Sequence, residues 1–272
     1  MSLNPFILVA PATRGLSLAL TRHFLRTTNL PVYATHRSDT PEVVHKHILS
    51  SFNAQTIDPK RLNLLHLELT SEESISAAAQ ALEASLPNGA HSYIQTAFFT
   101  GGMLHPERQP SDLDLATIQQ TYQINVISHL LLVKHFSRFL PPRNFATKSV
   151  TGNQPLIPSK WVHVSARVGS ISDNKSGGWF SYRSSKAALN QTIKTFDLYL
   201  LSKKVPAIAV GVHPGTVKTD LSKDFWEGVE KKKGGKLFEP DEAAEKVAGV
   251  VETLGWEERG RVWDWKGEAV PW

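Results

Sequence analysis

Apolar runs of strand length alternate with helix-spaced apolar positions along the chain. The runs fall at residues 6–10, 31–38, 62–67, 92–97, 161–164 and 207–212. Between most of them, apolar residues recur three or four positions apart, which is typical of one face of an α-helix. The clearest helix carries Leu189, Ile193, Phe196 and Leu200. This alternation, without a break in composition, predicts one α/β domain over residues 1–272: a doubly wound, Rossmann-type parallel sheet with helices on both faces.

Two segments interrupt the alternation. Residues 143–160 are polar and contain prolines, so we interpret them as a surface insertion. Residues 220–238 include the run Lys231-Lys232-Lys233 beside two glycines, which is typical of a solvated loop. We expect 220–238 to contribute a substrate loop, together with segments 98–110 and 170–180 and the carboxyl-terminal tail.

Composition narrows the class of protein. Hydrophobic residues make up 41% and charged residues 20%, as in an ordinary globular protein with an ample core. The chain has no cysteine, which excludes disulfides, thiolate metal sites and a cysteine nucleophile, and its 11 histidines show no metal-ligand spacing. The net charge of +5 is mild and forms no basic patch with interleaved aromatics. No leader or long apolar run is evident. We therefore expect a cytoplasmic protein without a metal, a nucleic-acid partner or a membrane partner.

Tyr182 and Lys186 lie four positions apart near the start of the clearest helix, so their side chains share one face. A phenol has a reference pKa of about 10 and is a weak acid at neutral pH. An ammonium one turn away favours the phenolate and brings the phenol nearer the range of efficient acid–base catalysis. Taken alone, the pair would also suit an amphipathic helix with a surface lysine and a half-buried tyrosine.

The turn after the first strand, residues 11–17, leads directly into a helix. A helix amino terminus offers free N–H groups and a positive dipole end, both suited to a phosphate. As a glycine fingerprint the turn is weak, since Gly15 is its one glycine. About 20 residues further on, the second strand ends in Arg37, where an arginine accommodates a 2′-phosphate. With Arg14 as a second clamp, this arrangement favours NADPH over NADH.

Two polar residues occur beside apolar positions. Asn125 falls within the apolar stripe of a predicted helix, where a buried amide needs partners. It either completes a structural network or orders a water near the site. Ser165 ends the fifth predicted strand, where its hydroxyl could orient a substrate carbonyl against Tyr182.

Over essentially its whole length, the chain resembles the short-chain dehydrogenase/reductase superfamily. The motifs that carry the resemblance are the turn at 10–17, Arg37, Asn125, Ser165, the Tyr182 and Lys186 pair, and Pro214-Gly215. The segments SARVGSISDNKSGGWFSYRSSKAALN and GRVWDWKGEAVPW are similar to the carbonyl-reductase-like branch, which includes the sniffer and C-factor proteins.

The resemblance implies a role for each matched residue. Tyr182 would donate the proton, Lys186 would lower its pKa and bind the nicotinamide ribose, Asn125 would hold a water, and Ser165 would orient the carbonyl. The residues implied for NADP(H) are Thr13, Arg14, Leu16, Ser17, Arg37, Glu68, Leu69, Ala97, Tyr182, Lys186, Pro214, Gly215, Val217 and Thr219. Glu68 and Leu69 would lie at the adenine, and Val217 and Thr219 at the carboxamide. A homodimer is also expected.

Three positions depart from the family pattern. The usual second serine after the fifth strand is Ala166, so Ser165 or Ser170 takes the role, or the role is vacant. The usual segment after the fourth strand is Gln95-Thr96-Ala97-Phe98, which is bulkier. Pro11 replaces a glycine and removes one backbone donor.

Together these features predict an NADPH-dependent reductase of a ketone or aldehyde. Five aromatic residues in the specificity segments and tail (Trp179, Phe225, Trp226, Trp263 and Trp265) suggest a small apolar or aromatic substrate, although packing would explain them equally well. The alternatives are a non-catalytic NADP(H)-binding sensor or module, and a cofactor-dependent cyclase or isomerase on the same site.

Overall fold

The computed structural model describes residues 3–52, 56–143, 157–231 and 235–272. Within them, eight strands form the main sheet and two more form a small ladder. The strands are β1 (Leu3–Ala10), β2 (Val32–His36), β3 (Leu62–His66), β4 (His91–Phe99), β5 (Ser159–Val164), β6 (Ala207–His213), β7 (Thr216–Val217), β8 (Leu237–Phe238), β9 (Val262–Asp264) and β10 (Ala269–Val270).

The main sheet has the order β10-β9-β6-β5-β4-β1-β2-β3. Its pairs are parallel except β9 with β10, which is antiparallel. The chain order reverses between β1 and β4, and ligands of doubly wound sheets bind beyond the carboxyl ends of the strands at such a point. The topology therefore fixes the edge at which a functional site is expected.

The helices cover both faces of this sheet. They are α1 (Gly15–Thr27), α2 (Pro41–Leu49), α3 (Glu72–Ser85), α4 (Leu115–Tyr122), α5 (Ser128–Phe136), α6 (Phe180–Ser202), α7 (Trp226–Lys231) and α8 (Pro240–Thr253). A π-helical turn, Gln123–Ile127, joins α4 to α5. The predicted doubly wound sheet with helices on both faces is confirmed.

Two apolar layers fill the space between sheet and helices. One layer packs Leu132 of α5 and Leu189 of α6 against the sheet, together with completely buried Trp161. The other packs Phe24 of α1 and Val247 of α8 against the opposite face. Alternate residues of each strand enter alternate layers, as the period of two in a strand requires.

Two predicted strand boundaries need correction. β4 continues to Phe99 because its residues pair with β1 through Ala10, so Ala97 lies inside the strand and not at its end. β5 begins at Ser159, so the last two residues of the predicted 143–160 insertion belong to the sheet. Residues 144–156 of that segment lie outside the described residues.

The segment 220–238 is more regular than a loop. It contains a 3-10 helical stretch, Asp220–Phe225, followed by α7 and β8. β8 pairs with β7, which ties the end of the segment back to Val217. Residues 232–234, within the predicted lysine-rich loop, lie outside the described residues.

Candidate active site

The turn after β1 meets the segment after β6. Gly15 has φ +53, and a Cβ there would lie 2.8 Å from Cγ2 of Thr219. Leu16 packs against Val217 and Phe238 in a small apolar cluster. The structure thus brings the predicted cofactor residues of both segments together at the start of α1. No side chain caps this helix, which leaves its first N–H groups available to a ligand.

Two neighbours hold the turn in place, and the sequence analysis missed both. His47 of α2 lies with Nε2 3.1 Å from the carbonyl oxygen of Thr13. Thr100, just after β4, donates its hydroxyl to the carbonyl oxygen of Pro11 at 3.0 Å. His47 belongs to no recognisable sequence motif, so residue spacing alone could not have predicted its contact with Thr13.

Arg37 extends from the end of β2 with 59% of its side chain exposed. One guanidinium nitrogen lies 3.7 Å from Oε2 of Glu68, which follows β3. The other carboxylate oxygen of Glu68 accepts from the backbone N–H of Thr70 at 3.1 Å. Arg14 is also exposed, at the start of α1. Two exposed guanidinium groups therefore follow neighbouring strands of the sheet, and each has the charge and the planar donors that suit a phosphate monoester.

Leu69 and Ala97 occupy places that the resemblance did not anticipate. A Cβ on Gly101 would lie 2.7 Å from Cδ1 of Leu69, so Leu69 packs behind the loop that follows β4. Ala97 is completely buried, paired with Leu8 and Trp161 in the sheet. Its side chain therefore lies in the core, and the loop that was expected to begin there begins after Phe99, the last residue of β4.

The segment after β6 turns sharply at Gly215. This residue has φ +77, and a Cβ on it would lie 2.7 Å from the ring of Phe238. Pro214 beside it is buried. The backbone there favours glycine, and the turn directs Val217 and Thr219 towards α1.

Tyr182 and Lys186 lie on the buried face of α6, with 7% and 2% of their surfaces exposed. Lys186 donates from Nζ to the carbonyl oxygen of Val164 at 2.9 Å, and Nζ lies 5.9 Å from the centre of the Tyr182 ring. Within the described residues, the Tyr182 hydroxyl makes no hydrogen bond. A free phenol beside a fixed ammonium is thus present at the sheet edge.

Burial dominates the protonation of this pair. It raises the pKa of Tyr182 to about 12 and lowers the pKa of Lys186 to about 7. The expected lowering of the phenol pKa is therefore not found in the free protein. Loss of solvation on burial is the cause of both shifts.

Asn125 completes a hydrogen-bonded network inside the π-helical turn. Its Oδ1 accepts from the N–H of Met103 at 2.7 Å. Its Nδ2 donates to the carbonyl oxygen of Met103 at 2.9 Å and to Oγ of Ser185 at 3.0 Å. Of the two roles considered for Asn125, the structural one is present, and it ties the loop after β4 to α6. The water remains a prediction.

Ser165 is buried and donates its hydroxyl to Oδ1 of Asn190 at 2.6 Å. Asn190 lies two helical turns beyond Tyr182, so this bond directs the hydroxyl along α6 and not to the phenol. Ala166 has no hydroxyl. Ser170 accepts from the N–H of Asp173 at 3.0 Å, which leaves its own O–H to donate. Of these residues, Ser170 is the one whose hydroxyl proton is not donated to another described residue.

Trp179 and Phe225 form an aromatic wall beside the phenol. The Trp179 ring lies 6.1 Å from Tyr182 and 4.8 Å from Phe225, measured between ring centres. The backbone of Trp179 has the left-handed conformation (φ 50), which is strained for a bulky residue. Strained residues of this kind occur most often at functional sites. Its N–H donates to the carbonyl oxygen of Glu107 at 2.6 Å, and the Glu107 carboxylate accepts from Ser181.

The other aromatic residues of the specificity segments lie elsewhere. Trp265 packs against Phe238 with ring centres 4.7 Å apart. Trp263 donates from Nε1 to the carbonyl oxygen of Glu258, and Trp226 donates to Ser222. For these three residues the packing interpretation fits the structure better than substrate contact.

Comparison with known proteins identifies the family to which this fold belongs. The short chain dehydrogenase family profile matches residues 5–230, and the chain belongs to this family. It is 32% identical to the C-signal protein of Myxococcus xanthus over 168 residues, which cover 59% of this chain and 82% of that protein.

Two solved structures are similar over the full length of both chains. The NADPH-bound carbonyl reductase from chicken fatty liver shares 25% identity with a TM-score of 0.78. The carbonyl reductase Sniffer of D. melanogaster shares 19% identity, also with a TM-score of 0.78. The predicted resemblance to the carbonyl-reductase-like branch is confirmed.

The described part of the chain lacks both a membrane-spanning helix and a cluster of metal ligands. No helix there combines the length and apolar character needed to cross a membrane. The same residues contain no group of three or more histidine, aspartate or glutamate side chains placed to hold a metal ion.

Proposed function

We propose that the protein is an NADPH-dependent reductase that transfers a hydride to the carbonyl carbon of a small apolar or aromatic ketone or aldehyde, with Tyr182 as proton donor. The observation that carries this proposal is the free hydroxyl of Tyr182 one helical turn from Lys186, whose Nζ is held at 2.9 Å by the carbonyl oxygen of Val164. Family membership supports the reaction class.

The residues at the sheet edge fit NADPH. The uncapped start of α1 and the turn at Thr13 would receive the pyrophosphate. Arg14 and Arg37, both exposed, would bind the 2′-phosphate. The close approach of Gly15 to Thr219 leaves no room for a side chain at position 15, as expected where backbone must come near a ligand. The chicken-liver relative that shares this fold is NADPH-bound.

The bound nicotinamide supplies the hydride. Tyr182, with a pKa of about 12, is protonated at neutral pH and so is in the state that a general acid requires. Lys186 in its protonated form provides the positive charge that stabilises the phenolate left behind, and the carbonyl oxygen of Val164 fixes the position of that charge. Ser170, whose O–H remains to be donated, is our choice for the hydroxyl that orients the carbonyl.

The aromatic wall of Trp179 and Phe225 supports a planar, apolar substrate. Its rings lie beside the phenol, and aromatic rings attract other aromatic groups by about 0.5–1.5 kcal/mol beyond their buried area. The left-handed backbone of Trp179 holds the indole in this place. We therefore place the substrate side chain against this wall.

We further propose a homodimer. Leu130 of α5 and Leu198, Tyr199 and Leu201 of α6 are between 48% and 52% exposed, which is high for large apolar side chains. Burial between two copies would remove this surface from water. Light scattering after size-exclusion chromatography gives the mass directly: a monomer at micromolar concentration would contradict the homodimer.

One observation favours a second candidate, a non-catalytic NADP(H)-binding protein. Ala166 lacks a hydroxyl, and the hydroxyl of Ser165 is donated to Asn190. The test is to titrate NADPH into the protein and then to follow absorbance of the reduced cofactor with a panel of aromatic and aliphatic carbonyls. Binding followed by carbonyl-dependent oxidation supports the reductase, whereas binding without turnover supports the second candidate.

A further inference from the structure

A pair of histidines connects helix α5 to strand β5 beneath the site. His129 and His163 are both completely buried, and their Nδ1 atoms lie 2.8 Å apart. His129 also places Nε2 3.0 Å from the carbonyl oxygen of Gly101. The His163 ring packs on Phe99 with ring centres 5.0 Å apart. The family resemblance assigned no role to either histidine.

The hydrogen bonds fix the tautomer of each ring. Burial lowers the pKa of His129 to about 3 and holds the pKa of His163 well below its usual value, so both rings are neutral. A neutral imidazole has one donor and one acceptor. The carbonyl of Gly101 can only accept, so the His129 proton sits on Nε2 and its Nδ1 accepts. His163 must then donate from Nδ1, and the chain runs from His163 through His129 to Gly101.

The loop from Gly101 to Met103, which this hydrogen-bond chain holds, covers Lys186. Asn125, one turn before His129, binds Met103 through both N–H and carbonyl, so Gly101 to Met103 is fixed at both ends. A Cβ on Gly102, between them, would lie 3.7 Å from Nζ of Lys186. Gly101 is buried and Gly102 exposed, so the loop separates the ammonium from solvent.

Strand β5 acts on the ammonium from the other side. Val164, the residue after His163, accepts the hydrogen bond from Nζ of Lys186. Burial, and to a smaller extent the charge of Lys186, lower the pKa values of His129 on α5, His163 on β5 and His213 on β6. With Tyr182 on α6, these are the titratable groups that face the ammonium.

We propose that His129 and His163 are positioning residues of the site: His163 fixes the tautomer of His129, and His129 holds Gly101 so that the loop to Met103 stays closed over Lys186. The hydrogen-bond chain stands without the proposed function. Its catalytic consequence rests on that function, because a loosened loop would no longer hold the packing around the ammonium that stabilises the phenolate.

The first test reads the tautomers and needs no substrate. The full-length protein, labelled with ¹⁵N in its histidine rings, is studied at neutral pH by long-range ¹H–¹⁵N correlation, with the signals assigned from the variants His129→Gln and His163→Phe. The proposed hydrogen-bond chain requires a proton on Nε2 of His129 and a proton on Nδ1 of His163. The opposite tautomer in either ring, or a charged His129, would overturn it.

The second test measures access to Lys186. Acetic anhydride acylates the unprotonated amine of each lysine in proportion to its exposure. Each variant is therefore labelled over the same range of pH, and mass spectrometry compares Lys186 with exposed Lys175. His129→Leu removes the donor to Gly101 and should raise the labelling of Lys186 about tenfold, the equivalent of one net hydrogen bond. His129→Gln, which keeps a donor near Gly101, should restore protection. His135→Gln, on the same helix but paired with Glu72, is the matched control.

Kinetics separate a positioning role from a purely structural one. Given a carbonyl substrate, His129→Leu should lower kcat about tenfold and shift the pH–rate profile, and His129→Gln should recover both. An unchanged profile with lower thermal stability alone would overturn the positioning role. If no carbonyl is reduced, the proposed function fails. The tautomer and labelling measurements still test the hydrogen-bond chain from His163 through His129 to Gly101.

Discussion

Ser165 donates its hydroxyl to Oδ1 of Asn190 at 2.6 Å, within the buried face of α6 and away from the phenol of Tyr182. The bond joins the end of β5 to the helix that carries both Tyr182 and Lys186. It therefore secures the position of that helix on the sheet. The same bond removes the one donor that Ser165 could offer to a substrate carbonyl.

The two serines should consequently respond differently to substitution. Ser165→Ala leaves Oδ1 of Asn190 unpaired in the core and should cost about 1–3 kcal/mol of unfolding free energy, with activity per folded molecule maintained. Ser170→Ala should lower kcat with little loss of stability. Denaturant unfolding and steady-state kinetics on both variants check this. The reverse ranking in kcat would restore Ser165 as the carbonyl-orienting residue.

Cofactor choice should depend on Arg37. Arg37→Asp replaces an exposed guanidinium by a carboxylate beside Glu68, so a bound 2′-phosphate would meet repulsion. Because a charge-assisted hydrogen bond contributes about 1.5–3 kcal/mol, NADPH affinity should fall at least about tenfold, with NADH affinity unchanged or improved. Arg138→Asp, which breaks an ion pair with Glu83 and a hydrogen bond to the carbonyl oxygen of His135, is the control for loss of a surface arginine elsewhere. Equal affinity of the wild-type protein for NADPH and NADH would rule out this role.

Substrate preference should depend on Trp179. Trp179→Ala removes the ring that contacts Phe225 and lies beside Tyr182. We expect kcat/KM for aromatic ketones to fall about tenfold relative to small aliphatic ketones, since an aromatic pair contributes about 0.5–1.5 kcal/mol. Trp263→Phe, on β9 and away from the wall, should leave the ratio unchanged. If the ratio of kcat/KM for aromatic to aliphatic ketones changes equally in both variants, the aromatic wall does not select the substrate.

The stability of the protein should increase with pH through the titration of Lys186. The pKa of Lys186 is about 7 in the folded protein, and its ordinary value is 10.5. Between these two pH values the unfolded chain therefore holds a proton on Lys186 that the folded protein lacks. Unfolding then takes up a proton, and the free energy of unfolding rises by at most about 1.4 kcal/mol per pH unit. Lys186→Met should flatten this slope between pH 7 and about pH 10. Identical slopes in the two proteins would contradict the lowered pKa.

Apolar periodicity was sufficient to predict the layers of the fold but not the strand ends. The spacing of Leu189 and Ile193 follows directly from helix geometry, and both residues are in the core. Phe98 and Phe99 were interpreted as a bulky loop, whereas pairing with β1 extends β4 through both. Such pairing joins residues about 90 positions apart, which local patterns cannot report.

In the candidate site too, local spacing predicts some features, whereas others depend on contacts between distant parts of the chain. The Tyr182 and Lys186 pair follows from a four-residue spacing on one helix, and the structure buries both side chains. The direction of the Ser165 hydroxyl depends on Asn190, and the pairing of His129 with His163 depends on the approach of α5 to β5. The protonation of Tyr182 and Lys186 was misjudged because burial, a property of the whole fold, exceeds their mutual interaction.

The most direct test of the account is carbonyl-dependent NADPH oxidation by the wild-type protein and Tyr182→Phe, measured beside NADPH affinity. Phenylalanine keeps the ring against Trp179 and removes only the hydroxyl that donates the proton. We predict that the wild-type protein oxidises NADPH with an aromatic ketone. The variant should bind NADPH nearly as well and turn over about 10²–10⁴-fold more slowly. A variant that retains most of the wild-type rate would contradict the assignment of Tyr182 as the proton donor.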